Sequence, residues 1–339
     1  FYEERFTTGW NTSTRYKLDK SGDAVQSMNY INWNWRIDED ITLNAGIHSQ
    51  YLGISDKGTV EPRLGFSWRF LPRHEFNLGF GVHRQSLPLL IYYTGNGNED
   101  LDFMQSIHYV AGYNYILSEN AIIKIEGYYK DISKAPVEAG EESSWSLLNS
   151  GTDFGIVGSG ISAKSEGTGR TYGAEFSLIK HFADHYYVTA TASYVRQQYT
   201  GSDGIRRWGA FDNQYIFNIL SGYELVISPS FTMEFSIKWT LAGGGPYTPI
   251  DMEESRSRGQ TQYLEEKAYT LRKPDYSRFD LRIDFRHNMQ GVSVISFFSL
   301  ENVFDKENVL MYQYDARGDK KDMIPQLGIF PVGGVRVEF

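Results

Sequence analysis

Cysteine is absent from this chain of 339 residues, which excludes disulfide frameworks, cysteine-ligated zinc sites and thiol nucleophiles. Proline is scarce, at 10 residues. No run of about 18 apolar residues occurs, so a transmembrane helix is excluded. Basic residues are the minority: 33 Lys and Arg stand against 42 Asp and Glu, a formal charge of -9. That balance argues against a nucleic-acid binder.

A secretory signal peptide is also lacking. The first five residues, FYEER, contain neither an initiating Met nor an apolar segment. We therefore expect a chain that has been processed, or a fragment of a longer polypeptide.

Aromatic residues, in contrast, are abundant: the chain has 24 Tyr, 21 Phe and 7 Trp, and glycine is common at 33 residues. The mean hydropathy is nevertheless negative. This combination is compatible with a β-barrel whose lumen is polar. The length suits two or three soluble domains or one large barrel.

The segment PDYSRFDLRIDFR at 274–286 alternates without a slip between apolar and charged residues. The apolar positions are Phe279, Leu281, Ile283 and Phe285, and the charged ones are Arg278, Asp280, Arg282, Asp284 and Arg286. Successive side chains of a strand point to opposite faces, so one face is apolar and the other is ionic. A soluble antiparallel sheet can show the same alternation, so the connections between strands decide.

The same alternation recurs along the chain and predicts about 14 strands, counting a weak first strand around residues 5–18. Short connections are predicted at 37–40, 71–74, 117–120, 181–185, 226–230 and 287–291. The connections that alternate with them are longer and are predicted at 53–59, 88–102, 137–166, 201–211, 244–273 and 305–328. Outer-membrane barrels have short periplasmic turns and long outer loops. The pattern therefore predicts an all-β fold, a transmembrane antiparallel up-and-down β-barrel with lipid outside and a wet or protein-filled lumen.

Aromatic residues near the predicted strand ends fit this barrel. They are Trp35, Trp68, Phe70, Tyr115 and Trp239. Their positions are typical of the aromatic girdles that lie at the two interfaces between membrane and water.

Several blocks of the sequence, in order, resemble the barrel of TonB-dependent outer-membrane transporters, especially of the Bacteroidota type. They are EPRLGFSWRF (61–70), EGYYKDIS (126–133), GTGRTYGAEFSL (167–178), GGGPYTPID (243–251), PDYSRFDLRIDFR (274–286), LENVFDKENVLMY (300–312) and PVGGVRVEF (331–339). The resemblance implies a barrel of about 22 strands plugged by an N-terminal domain. Counting back from the final strand, residues 1–339 are expected to form roughly strands 9 to 22, the C-terminal portion of the barrel. We expect the plug domain and the first strands on missing or separate polypeptide.

The function that the resemblance implies is TonB-dependent active import of a scarce nutrient, a siderophore, haem, cobalamin, glycan or peptide, across the bacterial outer membrane. Expected partners are outer-membrane lipid, the plug and remaining barrel, and the TonB complex through that portion, with no cofactor and no nucleic acid. Two alternatives stay open: a passive 14-stranded porin-like channel, and a surface receptor module that partners a lipoprotein. No nucleophile motif such as G-x-S-x-G occurs, so an enzyme is not expected.

Two groups of candidate site residues follow from this topology. Ligand contacts are expected from aromatic residues of the outer loops: Tyr92, Tyr93, Trp145, Trp208, Tyr247 and Tyr263. The lumen face is expected to carry Arg278, Asp280, Arg282, Asp284, Glu234 and Lys238, which pair with one another or with a plug. His48, His83 and His108 also fall on inward faces, where we expect solvated histidines and no metal site.

Overall fold

The structure is a computed structural model that describes residues 2–8, 11–18, 24–140, 142–150 and 161–339. In chain order the strands are β1 (Tyr2–Thr8), β2 (Asn11–Leu18), β3 (Gln26–Arg36), β4 (Ile41–Leu52), β5 (Lys57–Leu71), β6 (His74–Gln85), β7 (Met104–Ser118), β8 (Ala121–Glu138), β9 (Ala163–Ala183), β10 (Tyr186–Thr200), β11 (Arg206–Trp208), β12 (Gln214–Ser228), β13 (Phe231–Ala242), β14 (Pro246–Tyr247), β15 (Leu271–Arg272), β16 (Tyr276–Met289), β17 (Val292–Glu301), β18 (Val309–Asp315), β19 (Lys320–Pro325) and β20 (Phe330–Glu338).

Among the described residues, helical structure is confined to the connections. The α-helices there are α1 (Leu89–Thr94) and α2 (Met252–Arg258), and single 3₁₀ turns occur at Asn98–Asp100, Leu147–Asn149 and Glu265–Lys267. No helix in the described ranges has both the length and the apolar character needed to cross a membrane.

One antiparallel sheet organises the molecule. Its order is β3-β4-β5-β6-β7-β8-β9-β10-β12-β13-β16-β17-β20, so each long strand pairs with the next one along the chain, and β11 adds to β10. This is the up-and-down arrangement that the sequence predicts. Within the described residues β3 and β20 form the two edges of the sheet, which is not closed into a ring.

The sheet contains 14 strands, as predicted, but the weak first strand expected at residues 5–18 is not among them. That segment belongs to β1 and β2, which pair with each other as a separate hairpin. The sequence NTST at 11–14 has no alternation of apolar and polar residues, so it specifies no register on the larger sheet. The fourteenth member is instead β11, a strand of 3 residues paired with the outer end of β10.

The connections alternate as predicted. At one end of the sheet they are short, at 37–40, 72–73, 119–120, 184–185, 229–230 and 290–291. Two-residue turns that match strand twist need positive φ, and Asp184 and His185 adopt φ of 54° and 70°. At the other end lie the loops 53–56, 86–103, 139–162, 201–213, 243–275 and 302–329, of which only the first is short.

The pairing register joins the apolar positions of neighbouring strands into one continuous face. Phe279 on β16 lies opposite Trp239 on β13, and Ile283 lies opposite both Phe235 and Phe298. The residues between them form a second, polar face. The prediction of one apolar and one ionic face is confirmed for this part of the sheet.

Many members of the apolar face are exposed to the surroundings of the chain. They include Leu64, Leu78, Tyr109, Ile125, Phe176, Phe217, Tyr223, Phe235, Leu281 and Phe298. Soluble proteins rarely expose contiguous apolar patches beyond a few hundred Å². An apolar face that spans the whole sheet is therefore matched to lipid hydrocarbon, where the strands satisfy one another's backbone polar groups.

Aromatic rings collect on the strands near the short turns. Trp68 and Phe70 lie 5.6 Å apart between ring centroids, and the imidazole of His74 stacks 4.7 Å from the ring of Tyr115. This cluster is typical of an interfacial girdle. It marks the level at which the short-turn end of the sheet leaves the hydrocarbon.

The strands β8 and β9 are the longest of the described sheet, with 18 and 21 residues, whereas a membrane crossing needs about 9–11. The outer halves of these two strands therefore project above the membrane. The main buried apolar cluster lies mostly in the outer loop 86–103 and is completed by the ends of β4 and β9. Its members are Leu52, Leu87, Ile91, Tyr92, Leu101, Phe103 and Ala163.

Candidate functional site

Four outer loops converge on a cavity of about 1000 Å³ at the end of the sheet opposite the short turns. They are the described residues 142–150 and 161–162 between β8 and β9, and the loops 201–213, 243–275 and 302–329. Aromatic side chains form much of the lining: Trp145, Phe211, Tyr247, Tyr263, Tyr269 and Tyr312. Small-molecule sites are concave and largely apolar, with a few polar groups. This cavity has that character and is the candidate ligand site.

The loop 243–275 is held in shape by its own secondary structure. Tyr247 belongs to β14, which pairs with β15, and Tyr263 forms an isolated bridge with Ile250. Between them α2 is capped by the carboxylate of Asp251, which accepts the backbone N–H groups of Glu253 at 3.0 Å and Glu254 at 2.9 Å. Because this cap satisfies two otherwise unpaired donors, it fixes where the helix starts.

Contacts of Lys321 join the loop 243–275 to the hairpin of β18 and β19. The Lys321 ammonium lies 3.8 Å from the ring centroid of Tyr312 and donates to the Tyr247 hydroxyl at 2.9 Å. The rings of Tyr247 and Tyr312 are themselves 4.7 Å apart. Cation–π attraction of this kind contributes about 0.5–2 kcal/mol. Two loops distant in sequence therefore present their tyrosines side by side.

The loop 201–213 is anchored by Asp212, whose side chain is 0% exposed. Its carboxylate accepts from Arg196 at 3.0 Å and from the backbone N–H of Gln197 at 2.8 Å, and it also pairs with Arg272. Arg272 belongs to β15, so the pair ties this loop to the loop 243–275. The adjoining Phe211 is thereby placed on the cavity wall.

Charge at the cavity is sparse, and the charged groups described below are hydrogen-bonded to neutral groups. Glu265 accepts the hydroxyl of Ser144 at 2.7 Å, and Lys273 donates to the backbone carbonyl of Leu310 at 2.7 Å. Burial lowers the pKa of the Lys273 amine. Burial also raises the pKa of Tyr263, and that of Tyr269 to about 12, with Glu265 adding to both shifts. Both phenols are therefore neutral donors at physiological pH.

The shift at Tyr269 gives a measurable pH dependence. An ordinary Tyr ionises near pH 10, whereas Tyr269 ionises at about 12. The unfolded chain therefore loses this proton first as pH rises, and the stability contributed by neutral Tyr269 disappears between those two values. In a spectrophotometric titration at pH of about 11, Tyr269→Phe should leave tyrosinate absorbance nearly unchanged.

A fall in tyrosinate absorbance equal to the contribution of one fully ionised tyrosine would contradict a buried, neutral Tyr269.

Of the six loop aromatics predicted from the sequence, Trp145, Tyr247 and Tyr263 line the cavity. Tyr92 lies on α1 with 1% exposure, so a ligand in the cavity does not reach its ring in this conformation. Tyr93, on the same helix, does not line the cavity. The Trp208 ring stacks under the Arg196 guanidinium at 3.7 Å and also lies outside the lining.

Sequence reasoning missed Phe211, Tyr269 and Tyr312, which complete the aromatic lining. Phe211 and Tyr312 lie inside the loops 201–213 and 302–329, whose inward fold depends on contacts with distant residues. A signal was available for Tyr92: it belongs to the apolar run LLIYYT, which is typical of a packed segment.

The predicted lumen residues share the polar face of β13 and β16. Arg278 donates to Asp280 at 2.7 Å and to Glu301 at 2.7 Å, and Arg282 forms a two-point pair with Asp284 at 2.6 and 2.7 Å. These charges are thus paired within and between strands.

The remaining two predicted lumen residues lie on β13. Glu234 accepts the hydroxyls of Tyr187 and Ser236, each at 3.1 Å. Lys238 lies opposite Asp280 in the pairing register. All six predicted positions therefore belong to one patch of the sheet.

The three inward histidines form two separate contacts. The rings of His83 and His108 lie 4.3 Å apart, and His48 Nδ1 lies 3.1 Å from the Glu61 carboxylate. Within the described residues, no group of three or more His, Cys, Asp or Glu side chains has a metal-binding arrangement.

Comparisons with known proteins agree with this architecture. A family model described as TonB dependent receptor-like, beta-barrel, matches residues 2–303. A comparison with curated proteins found no match.

Solved structures with the same fold include three receptors. The ferric yersiniabactin uptake receptor FyuA from Yersinia pestis has a TM-score of 0.62 at 12% identity, covering 93% of this chain and 45% of that one. The ferripyoverdine receptor of the outer membrane of Pseudomonas aeruginosa has a TM-score of 0.62 at 13% sequence identity, and the match covers 93% of this chain and 39% of the receptor. The siderophore receptor PirA from Acinetobacter baumannii has a TM-score of 0.61 at 13% sequence identity, and the match covers 94% of this chain and 46% of the receptor.

The chain thus spans less than half the length of these receptors. The likeness in structure establishes the fold, and the Bacteroidota subtype stays a prediction. Since the family model matches residues 2–303, the chain belongs to the TonB dependent receptor-like β-barrel family of the bacterial outer membrane.

Proposed function

We propose that this protein captures a scarce nutrient in its outer cavity and imports it across the outer membrane with energy supplied through TonB. The observation that carries the proposal is the cavity itself: four loops close over one end of a barrel sheet and line the space with aromatic rings. A channel for unselected solutes does not need such a site.

The rest of the barrel is part of the proposal. β3 and β20 are the edges of the described sheet, and an edge strand in a membrane leaves backbone groups unpaired in hydrocarbon. Further strands, on the same or another polypeptide, would close the ring. We propose that a plug domain fills the lumen and docks on the polar face of the sheet.

The polar face suits such docking. Around β16 the arginines and carboxylates are already paired with one another, so they offer oriented hydrogen-bonding groups without an uncompensated charge. A plug held by such contacts can be displaced at modest cost, because each surface ion pair contributes about 0–1 kcal/mol. Energy transmitted to the plug would then open a path beneath the cavity.

Planar-bilayer recording tests this function without knowledge of the ligand. Protein purified from its native outer membrane is expected to give almost no ionic current, because a plugged lumen blocks conduction. A steady, voltage-independent conductance would instead support the passive porin-like alternative. Growth of cells provides a second test. Loss of TonB function should abolish growth on the nutrient that the protein imports.

The polypeptide composition of the purified assembly tests whether further strands and a plug complete the barrel. We expect polypeptide beyond this chain, either covalently continuous or as a companion. A single species of 38.8 kDa, the mass of this chain, would contradict the proposal that further strands and a plug complete the barrel.

A further inference from the structure

The cavity presents aromatic residues that the described chain leaves about half exposed. Phe211 is 50% exposed and Tyr263 is 43% exposed, and both line the cavity. The two residues come from different loops. Exposed rings on opposing loops provide apolar surface against which a flat, partly apolar ligand can stack.

The ionisable lining is poorly suited to an anion. Apart from tyrosines, the lining contains two carboxylates, Glu138 and Glu265, and one amine, Lys273, and no arginine of the described residues contributes to it. Lys273 already donates to the Leu310 carbonyl. The neighbouring Lys321 is held by Tyr247 and Tyr312. Among the described lining residues one amine stands against two carboxylates, so a multiply charged anion entering this space would meet a net negative lining.

The remaining polar lining consists of small neutral groups. Ser143, Asn149 and Thr248 offer hydroxyls and an amide, which act as both donors and acceptors. Neutral hydroxyl groups on a ligand match such a lining. The volume of about 1000 Å³ lies at the upper end of small-molecule sites, about 300–1000 Å³, so it admits a ligand of several rings.

We propose that the cavity binds a neutral oligosaccharide and does not bind an anionic metal chelate. Each sugar ring has a C–H face that stacks on an aromatic ring and a hydroxyl edge that bonds to the Ser, Thr and Asn side chains. This inference rests on the proposed function, since it names the class of nutrient that the same cavity would capture.

Titration of the purified protein with a library of neutral oligosaccharides, monitored by calorimetry, tests the proposal. At least one member is expected to bind. Tyr263→Ala and Phe211→Ala should each weaken binding about tenfold, the change that corresponds to 1.4 kcal/mol. Tyr51→Ala is the matched control, because Tyr51 is an aromatic residue of the outer rim that is 44% exposed and does not line the cavity.

Salt dependence separates a neutral ligand from a charged one. Affinity for a neutral sugar should stay constant as ionic strength rises, whereas binding of a charged ligand changes as its field is screened over about 8–10 Å. The anionic probe is a ferric tris-catecholate chelate. Binding of this chelate that depends on Tyr263, or no binding by any neutral oligosaccharide, would overturn the proposal.

Failure of this inference is distinguishable from failure of the proposed function. TonB-dependent uptake of a non-carbohydrate nutrient would refute the sugar class and leave the import function intact. Sugar binding with uptake that is independent of TonB would support the sugar class and refute energised import.

Discussion

Asp212→Ala is expected to release the loops 201–213 and 243–275 from each other and to abolish ligand binding in the cavity. The carboxylate is 0% exposed and joins Arg196 to Arg272. Its removal leaves two guanidinium groups without their partner in a partly buried position, a change that costs about 3–5 kcal/mol when the pair is fully buried. Hydrogen exchange of the two loops should rise sharply while that of β12 and β13 stays unchanged.

A second Asp–Arg pair between loops provides the control. Asp319 pairs with Arg256 at 2.9 Å, but these side chains are 51% and 58% exposed. Exposed pairs contribute about 0–1 kcal/mol, so Asp319→Ala should change loop exchange only slightly. Equal effects of the two substitutions would show that burial of Asp212 does not determine the position of these loops.

Ala190→Arg is expected to reduce the free energy of unfolding in lipid vesicles by about 2–4 kcal/mol, the cost of a cation on the lipid face near the bilayer midplane. Ala190 lies on the apolar face of β10, opposite Leu178 on β9 and Ile219 on β12. The guanidinium would enter hydrocarbon with no partner for its charge.

Thr191→Arg is the matched control, because the next residue of a strand points to the opposite face. Thr191 lies opposite Ser177 and Asn218, within the polar face. Its replacement should change the unfolding free energy by less than about 1 kcal/mol. If Thr191→Arg were the more damaging of the two, the assignment of lipid and lumen faces would be reversed.

The fold of the sheet was predictable because its periodicity is local. Alternation such as Phe279, Leu281, Ile283 assigns a face to each residue without knowledge of any other strand. The length of each connection then indicates which end of the barrel it occupies. The prediction of a strand of the main sheet at 5–18 was wrong, and the sequence there has no alternation of apolar and polar residues that would assign a face.

The cavity was only partly predictable because its walls depend on contacts between distant residues. Tyr247 and Tyr263 belong to one loop and could be identified as loop aromatics. Tyr312 joins them through Lys321, 74 positions from Tyr247 in the sequence. Pairings of this kind, like that of Asp212 with Arg272, leave no periodic signal in the sequence.

The ion pairs on β16 have an electrical consequence for any solute that comes close to the polar face of the sheet. Arg278 with Asp280, and Arg282 with Asp284, place opposite charges 2.6 to 2.7 Å apart along one strand. The electrostatic potentials of two opposite charges this close together largely cancel within a distance shorter than the Debye length of about 8 Å. This sector of the wall therefore presents dipoles in place of a net potential, and it does not by itself discriminate between cations and anions that pass along it.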